Sequence, residues 1–459
     1  MNGEHSDEFE TELGVRQGSV LSPVLFSIFI TGVVDEWKRL GLGVTISSRG
    51  GGDPLRVAGL LFADDIVLLA DSQRDLHAAL RVMEQHAARY KYRFNVGKCA
   101  VVAMHPPPTA ATTTTSTTPE CSLQGQEVPQ KAEYKYLGVV MERGATWHRW
   151  SDERVARGRR CLPKLWYSGA RQGAISTRTA NHLMEVMMWP TVGYGGQLAR
   201  PNKAEVAAGE VLQNEAGRQI LGTGRRTPID AMRGELGWIP LEARRAQQQL
   251  LFFHRLQWMR PDSITGRVFH HRMHSFHERA AAGLKSHGVC GVVRDLMLRY
   301  AISTDRHFVI TTPVDRWSWR STVEAAVTRR EASDWQLRLE VATGATPTAT
   351  QTAARDEETS ATATREAGES HARAWYRGLK TQWGAESYLV ECRSPAGRRI
   401  LSQLRTRTAP LNHTLNRYYP LQHPTATCTR CDLDLRDDEK HVLFECPLHD
   451  DDPHSDRGG

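Results

Sequence analysis

Two adjacent carboxylates, Asp64 and Asp65, interrupt the apolar run Leu60-Leu61-Phe62-Ala63-Asp64-Asp65-Ile66-Val67-Leu68-Leu69-Ala70. The run is short and rich in β-branched and bulky residues, so it reads as two strands joined by a tight turn that carries the acids. Charge set among core residues is costly unless it is paired or binds a cation. Carboxylate oxygens at a hairpin tip suit Mg²⁺. The competing reading is an ordinary Asp-Asp turn, because Asp tolerates left-handed backbone. The neighbouring segments decide between them.

Upstream, Gly14-Val15-Arg16-Gln17-Gly18-Ser19-Val20-Leu21-Ser22-Pro23 runs into an apolar helical pattern from Val24 to Ile30. Ser22 is the expected N-cap and Pro23 the first helical residue. A glycine-rich loop at a helix N-terminus favours anions such as nucleotide phosphates, and Arg16 and Gln17 add donors. Downstream, Phe94-Asn95-Val96-Gly97-Lys98 ends a helical pattern and opens a strand, and Tyr134-Lys135-Tyr136-Leu137-Gly138-Val139-Val140 follows after an insertion. Alone, each segment reads as surface or core; their order carries the signal.

In this order the four segments resemble the palm of reverse transcriptases, specifically those of non-LTR (LINE-type) retrotransposons. The resemblance covers residues 14 to 140 and implies RNA-templated DNA synthesis. It makes Asp64 a metal ligand with Asp65 its auxiliary neighbour. Arg16, Gln17 and Gly18 become template and nucleotide contacts, Lys98 a proton donor near the leaving pyrophosphate, and Tyr136, Leu137 and Gly138 the primer grip. The implied cofactor is Mg²⁺ in a two-metal site, and the implied partners are an RNA template, a DNA primer or target, and dNTP. Family polymerases place a further catalytic Asp on a strand well before the glycine-rich motif. Here Asp7 lies in a polar, acidic stretch without such a strand. With one metal pole missing, charge on the transferring phosphoryl group is incompletely neutralised, so this chain alone is expected to extend a primer poorly.

With 459 residues the chain has room for several domains, and the expected fold class is α+β. A formal charge of +7 favours a polyanionic partner. Scattered cysteines and an N-terminus without a basic-then-apolar leader point to reduced thiols and an intracellular setting, nuclear or cytoplasmic. The longest apolar stretch, Val20 to Val34, is broken at Ser22 and Pro23 and is too short for a membrane span. Oligomeric state is not legible.

The expected divisions are a partial palm over 1–141 with a loop insertion at about 105–119, a helical thumb-like region over 142–260, and a helical connector over 261–340. A flexible linker over 341–371, a basic helical lead-in over 372–427, a finger over 428–449 and an acidic tail over 450–459 complete them. Ser72 should cap a helix through Leu76, Leu80, Met83, Ala87 and Tyr90. Arg149, Arg154, Arg157, Arg159 and Arg160 share helical spacing beside Trp147 and Trp150, a pattern open to phosphate contacts or to a solvated face. The Met- and Trp-rich stretch 184–190, leading to Gly193-Tyr194-Gly195-Gly196, reads as core. His270, His271, His274 and His277 read as polar surface.

Near the C-terminus, Cys428, Cys431, His441 and Cys446 have the spacing of a tetrahedral Zn²⁺ site, with His449 a less typical substitute for His441. The surrounding Lys440-His441-Val442-Leu443-Phe444-Glu445-Cys446-Pro447 resembles the zinc-binding tail of many non-LTR retrotransposon reverse transcriptases. Arg393, Arg398, Arg399, Arg405, Arg407 and Arg417 make its approach basic, so RNA or DNA binding is expected; a purely structural clip stays open. Three functional readings compete: an impaired RNA-directed DNA polymerase, a catalytically inactive RNA- or DNA-binding remnant and, more weakly, an intron maturase. Target-site cleavage is not expected.

Overall fold

The computed structural model describes residues 14–16, 18–46, 54–104, 121–144, 146–172, 174–284, 288–302, 315–341 and 372–449. Gln17, Asp7, the insertion at 105–119 and the tail 450–459 lie outside them, as does the expected linker apart from the backbone of Val341. The chain divides into two compact units. Unit one is Met1–Thr146 with Phe253–Arg294; unit two is Trp147–Phe252 with Asp295–Gly459. The architecture is α+β, and among the described residues the short antiparallel strand pairs lie in unit one.

Unit one opens with α1 (Ser22–Arg39), followed by β1 (Val44–Ile46) paired with β2 (Leu55–Val57) and by β3 (Gly59–Phe62) paired with β4 (Asp65–Leu68). Helix α2 (Gln73–Tyr90) starts where Ser72 Oγ accepts from the Asp75 amide at 3.1 Å, the expected cap. The face of α2 carrying Ala79, Val82 and Met83 packs on Ile30, Val33 and Trp37 of α1. Trp37 is the centre of this core. Its ring is fully buried and its indole N–H donates to the Ala79 carbonyl at 3.2 Å.

The start of α1 differs from expectation. Leu21 occupies the N-cap without a side-chain bond, while Ser22 Oγ turns back and donates to the Arg16 carbonyl at 2.7 Å. Pro23 sits in the first turn, where its missing N–H costs nothing. Ser22 therefore ties the glycine-rich loop to the helix rather than satisfying the helix end.

Two further hairpins complete the strands: β5 (Ser122–Leu123) with β6 (Gln126–Glu127), and β7 (Glu133–Tyr136) with β8 (Val139–Glu142). Both turn residues of each pair have positive φ, Gln124 and Gly125 in the first, Leu137 and Gly138 in the second. That is the two-residue turn whose twist matches right-twisted strands, with Gly relieving the second position. The expected primer-grip strand is thus a hairpin bent at Leu137-Gly138. Nor does Phe94–Lys98 open a strand; Val96–Lys98 forms a 3₁₀ turn. Helix α10 (Ile264–Ala281) buries Phe269, Met273 and Phe276, and His274 reaches Glu278 at 3.3 Å, as its polar face predicts.

In unit two, α3 (His148–Arg159), α4 (Leu162–Tyr167), α5 (Thr177–Leu183), α6 (Trp189–Gly193) and α7 (Lys203–Leu221) surround a core containing Leu165, Met184, Met188 and Leu212. Between α5 and α6 the backbone widens to a π-helical turn over Met184–Met188. Pro190 lacks an N–H, and such widening is a common way for a helix to absorb the loss. Helix α8 (Ile229–Leu236) is buried nearly all round despite its charges, because each charge meets a distant partner. Asp230 is met by Arg338 at 3.0 Å and Arg373 at 3.2 Å, and Arg233 by Glu210 at 2.7 Å. Glu235 receives Arg405, Tyr376 and Tyr388. Helices α9 (Leu241–Gln257), α11 (Val289–Arg299), α12 (Arg316–Val341), α13 (372–379), α14 (Tyr388–Glu391), α15 (Pro395–Arg405) and α16 (Asn412–Tyr418) complete the described elements before the Cys/His segment.

Candidate functional sites

The acidic pair sits at the tip of the β3–β4 hairpin. Phe62 pairs with Asp65, leaving Ala63 and Asp64 as the turn, so Asp64 occupies the bend and Asp65 the first position of β4. Ala63 carries φ +49°, a left-handed conformation that a residue with a Cβ adopts at some cost. Both carboxylates are exposed, as is Phe62. The expectation of acids among core residues therefore fails at the tip itself: the hairpin is apolar where it meets α1 and open where it carries charge. Behind it, Gly59 is pressed on Trp37. A Cβ there would lie 2.9 Å from the indole ring and 2.7 Å from the Val67 carbonyl oxygen. Trp37 thus sets how deeply the hairpin seats.

The β7–β8 hairpin brings the other candidate segments together. Tyr134 donates its hydroxyl to the Lys98 carbonyl at 3.0 Å, fastening the exposed lysine to β7. Partial burial, and then the negative charge of Asp65, push the Tyr136 hydroxyl above its ordinary pKa. Tyr136 is therefore within electrostatic reach of the acidic tip. Of the glycine-rich loop, Arg16 and Gly18 are exposed, Gly18 has φ +86°, and Gln17 is outside the described residues. Among the described residues no His, Cys or third acid gathers with Asp64 and Asp65. The structural ties of Tyr134 and Gly59 were not legible as such; only the aromatic strand and the glycine before the acidic run hinted at them.

The second site is in unit two. One ligand atom from each of Cys428, Cys431, His441 and Cys446 lies within 4.8 Å of all the others. Four ligands about 2.0–2.3 Å from one tetrahedral ion need nearly this convergence. The Cys431 sulfur and His441 Nε2 are 3.4 Å apart, which makes Nε2 the ring atom facing the thiols. Burial opposes ionisation of Cys428, but the amides of Arg430 and Cys431 point at its sulfur and the thiol falls to about 6. Amides stabilising a thiolate, with three sulfurs and one nitrogen, fit a zinc-type ion. His449 is not part of the cluster.

The approach to this cluster is less open than its charge suggested. Arg405 is bound to Glu235 and Glu386, and Arg407 reaches Glu439 at 3.2 Å. Arg398 donates to the Cys392 carbonyl at 2.7 Å. Arg393 and Arg399 remain exposed. In α3, Arg154 is buried and bound to Glu153, whereas Arg149, Arg159 and Arg160 face solvent. No described helix is long and apolar enough to cross a membrane.

Residues 1–141 match the reverse transcriptase (RNA-dependent DNA polymerase) family. The chain is 27% identical over 221 residues to an RNA-directed DNA polymerase from mobile element jockey of Drosophila funebris, covering 46% of this chain and 22% of that protein. It is 31% identical over 130 residues to a retrovirus-related Pol polyprotein from type-1 retrotransposable element R2 of Nasonia vitripennis, covering 28% of this chain and 12% of the relative. A probable RNA-directed DNA polymerase from transposon BS of Drosophila melanogaster is 27% identical over 221 residues, 45% of this chain and 22% of the relative. The matched part thus spans about a fifth or less of the length of these relatives. Over residues 1–141 the chain is thus similar to the reverse transcriptases, and the relatives it resembles are polymerases of the mobile elements jockey, R2 and BS.

Proposed function

We propose that unit one supplies the acidic half of a nucleotidyl-transfer centre for RNA-templated DNA synthesis. The observation that carries this is the exposed Asp64-Asp65 pair at the tip of a hairpin seated on Trp37, with Tyr136 in reach of its charge. Magnesium held there would neutralise charge on the transferring phosphoryl group. Asp64, at the bend, presents its oxygens to that ion, and Asp65 supports it. The backbone at Gly18 and the side chains of Arg16 and Gln17 receive template and nucleotide. Lys98 protonates the leaving pyrophosphate, and the Tyr136-Leu137-Gly138 bend positions the primer end. In unit two, Cys428, Cys431, His441 and Cys446 hold Zn²⁺ in a finger that contacts nucleic acid.

Primer extension on an RNA template with Mg²⁺ and dNTPs tests the reading. The described residues provide only two of the acids a two-metal centre uses, so residues 1–459 should extend weakly, and Asp64→Asn should remove what extension there is. Robust extension by the Asp64→Asn variant would refute the assignment. The exposed Arg149, Arg159, Arg160, Arg393 and Arg399 favour a second reading, a nucleic-acid-binding protein without polymerase activity. Filter binding on the same preparation separates them: binding with no extension at any Mg²⁺ concentration supports the second.

A further inference from the structure

Unit two carries a half-open pocket of about 450 Å³, within the range of roughly 300–1,000 Å³ typical of small-ligand sites. Its wall brings together Trp150 and Arg154 of α3, Trp189 of α6, and Arg244, Arg245 and Gln248 of α9. Two of these arginines are set apart by making no ion pair. Among the described residues, Arg244 and Arg245 make no ion pair and no hydrogen bond, and the Arg244 Nε is buried without an acceptor. Arg244 instead lies over the Trp189 ring, 3.3 Å from its centroid. Burial lowers Arg244 to about 10, and lowers Arg245 in the same direction.

The acids of the same wall pair directly with other cations, while Glu185 acts on Arg244 and Glu242 on Arg245 only at longer range. Glu324 pairs with Arg320 at 3.5 Å, Glu242 with Arg299 at 3.6 Å and Glu185 with His182 at 3.6 Å. Glu205 is engaged by His148 and by the Asn202 amide. Glu210, which acts on both arginines at longer range, accepts from Arg233 at 2.7 Å. Two partly buried guanidiniums on one wall, neither in a direct ion pair and each met by carboxylates only at longer range, leave that wall able to take an anion.

A third group points the same way and accounts for the Gly193-Tyr194-Gly195-Gly196 motif. A Cβ on Gly193 would lie 2.9 Å from Gln248 Nε2, and one on Gly196 would lie 2.8 Å from Gln248 Oε1. The bare loop leaves room for this amide, yet its Oε1 is buried and receives no hydrogen bond. The cavity therefore offers two guanidiniums outside any direct ion pair and one unused acceptor.

We propose that this cavity binds the phosphate monoester of a nucleotide-sized ligand, with the phosphate between Arg244 and Arg245 and a ligand hydroxyl or amino group donating to Gln248 Oε1. Guanidiniums suit phosphate because their parallel N–H groups match its oxygens. The same chemistry is offered by a free mononucleotide and by the 5′-phosphorylated end of a strand. The inference stands independently of the polymerase reading.

The test is calorimetric titration of the full chain in Mg²⁺-free buffer with AMP, adenosine, and a short oligonucleotide bearing a 5′-phosphate or a 5′-hydroxyl. AMP or the phosphorylated strand should bind, with adenosine and the 5′-hydroxyl strand weaker by roughly tenfold or more, the scale of a charge-assisted contact. Preference for AMP assigns a free nucleotide, and preference for the phosphorylated strand assigns a strand end. Arg245→Gln should weaken binding by roughly tenfold or more, and Arg245→Lys, which keeps the charge, by less. Asp64→Asn should bind as the parent does, separating this site from the acidic hairpin. Equal binding with and without the phosphate, unchanged binding by a folded Arg245→Gln variant, loss of binding in Asp64→Asn, or no binding of any phosphorylated probe would overturn the proposal. Should Arg245→Gln fail to fold, the Arg245→Lys titration and the phosphate comparison on the parent chain decide alone.

Discussion

Replacing Glu235 with Ala should destabilise unit two by about 3 kcal/mol, a figure set by the contacts of its carboxylate. The side chain is wholly buried. Its oxygens accept from Arg405 Nε at 3.0 and 3.1 Å, from the Tyr376 hydroxyl at 2.9 Å and from the Tyr388 hydroxyl at 2.6 Å. Removing one partner of a buried ion pair costs about 3–5 kcal/mol, chiefly through the stranded charge. Two of the three donors keep a second partner, since Arg405 also pairs with Glu386 at 2.9 Å and Tyr388 with Ser402 at 2.9 Å. Only the Tyr376 hydroxyl is left wholly without an acceptor, which places the loss at the lower end of that range. Urea unfolding followed by tryptophan fluorescence measures it, because Trp335 packs with both Tyr376 and Trp383. Adding Arg405→Met removes the cation that has lost one of its two carboxylates and should restore part of the loss. A change below about 1 kcal/mol, the size of an ordinary surface substitution, would refute the reasoning.

The same site gives a pH dependence. Burial first, and then the Glu235 carboxylate, raise the Tyr376 and Tyr388 hydroxyls above their ordinary value. A raised folded-state pKa contributes stability that is intact below the unfolded value, about pH 10 for tyrosine, and lost as pH rises beyond it. The parent protein should weaken above about pH 10 in the same urea assay.

Two further substitutions and treatments are informative. Gly59→Val should place its side chain against Trp37 and the Val67 carbonyl; an overpacking loss of about 1–3 kcal/mol should appear in thermal unfolding. Zinc analysis should find one ion per chain. Chelation, or Cys446→Ser, should remove hydrogen-exchange protection from the Cys428 and Asp437 amides, which bond to Leu435 and Ala426; unchanged protection would count against the metal assignment.

The parts of this structure that could be read from sequence are those whose determinants are local. The β3–β4 hairpin follows from an apolar run interrupted at one point, and the Ser72 cap from its own short segment. The Cys/His cluster was legible because two thiols two residues apart can grip one side of a tetrahedral ion, and a His and a Cys about a helical turn apart can close the other. What escaped reading depends on distant partners. Ser22 has the chemistry of a cap, but the carbonyl of Arg16 competes for its hydroxyl and wins. The charges of α8 look like a solvated face until Arg338, Arg373 and Arg405 arrive from more than a hundred residues away. Likewise Arg405 and Arg407 count as basic residues in the sequence, yet both are consumed internally. The Arg244–Arg245 cavity is assembled from five separated stretches, none distinctive alone.

Arg405 ends α15 and Arg407 follows its last turn with φ +55°. The first engages Glu235 and Glu386 of the helical body, and the second engages Glu439 beside the Cys/His cluster. One reversed residue therefore works as a swivel locked at both ends, so the finger inherits its heading from the helices behind it. Inserting a single glycine after Thr406 should leave the Cys/His cluster intact while freeing it to wander, so that any metal uptake would persist while any nucleic-acid binding that depends on its heading would fall.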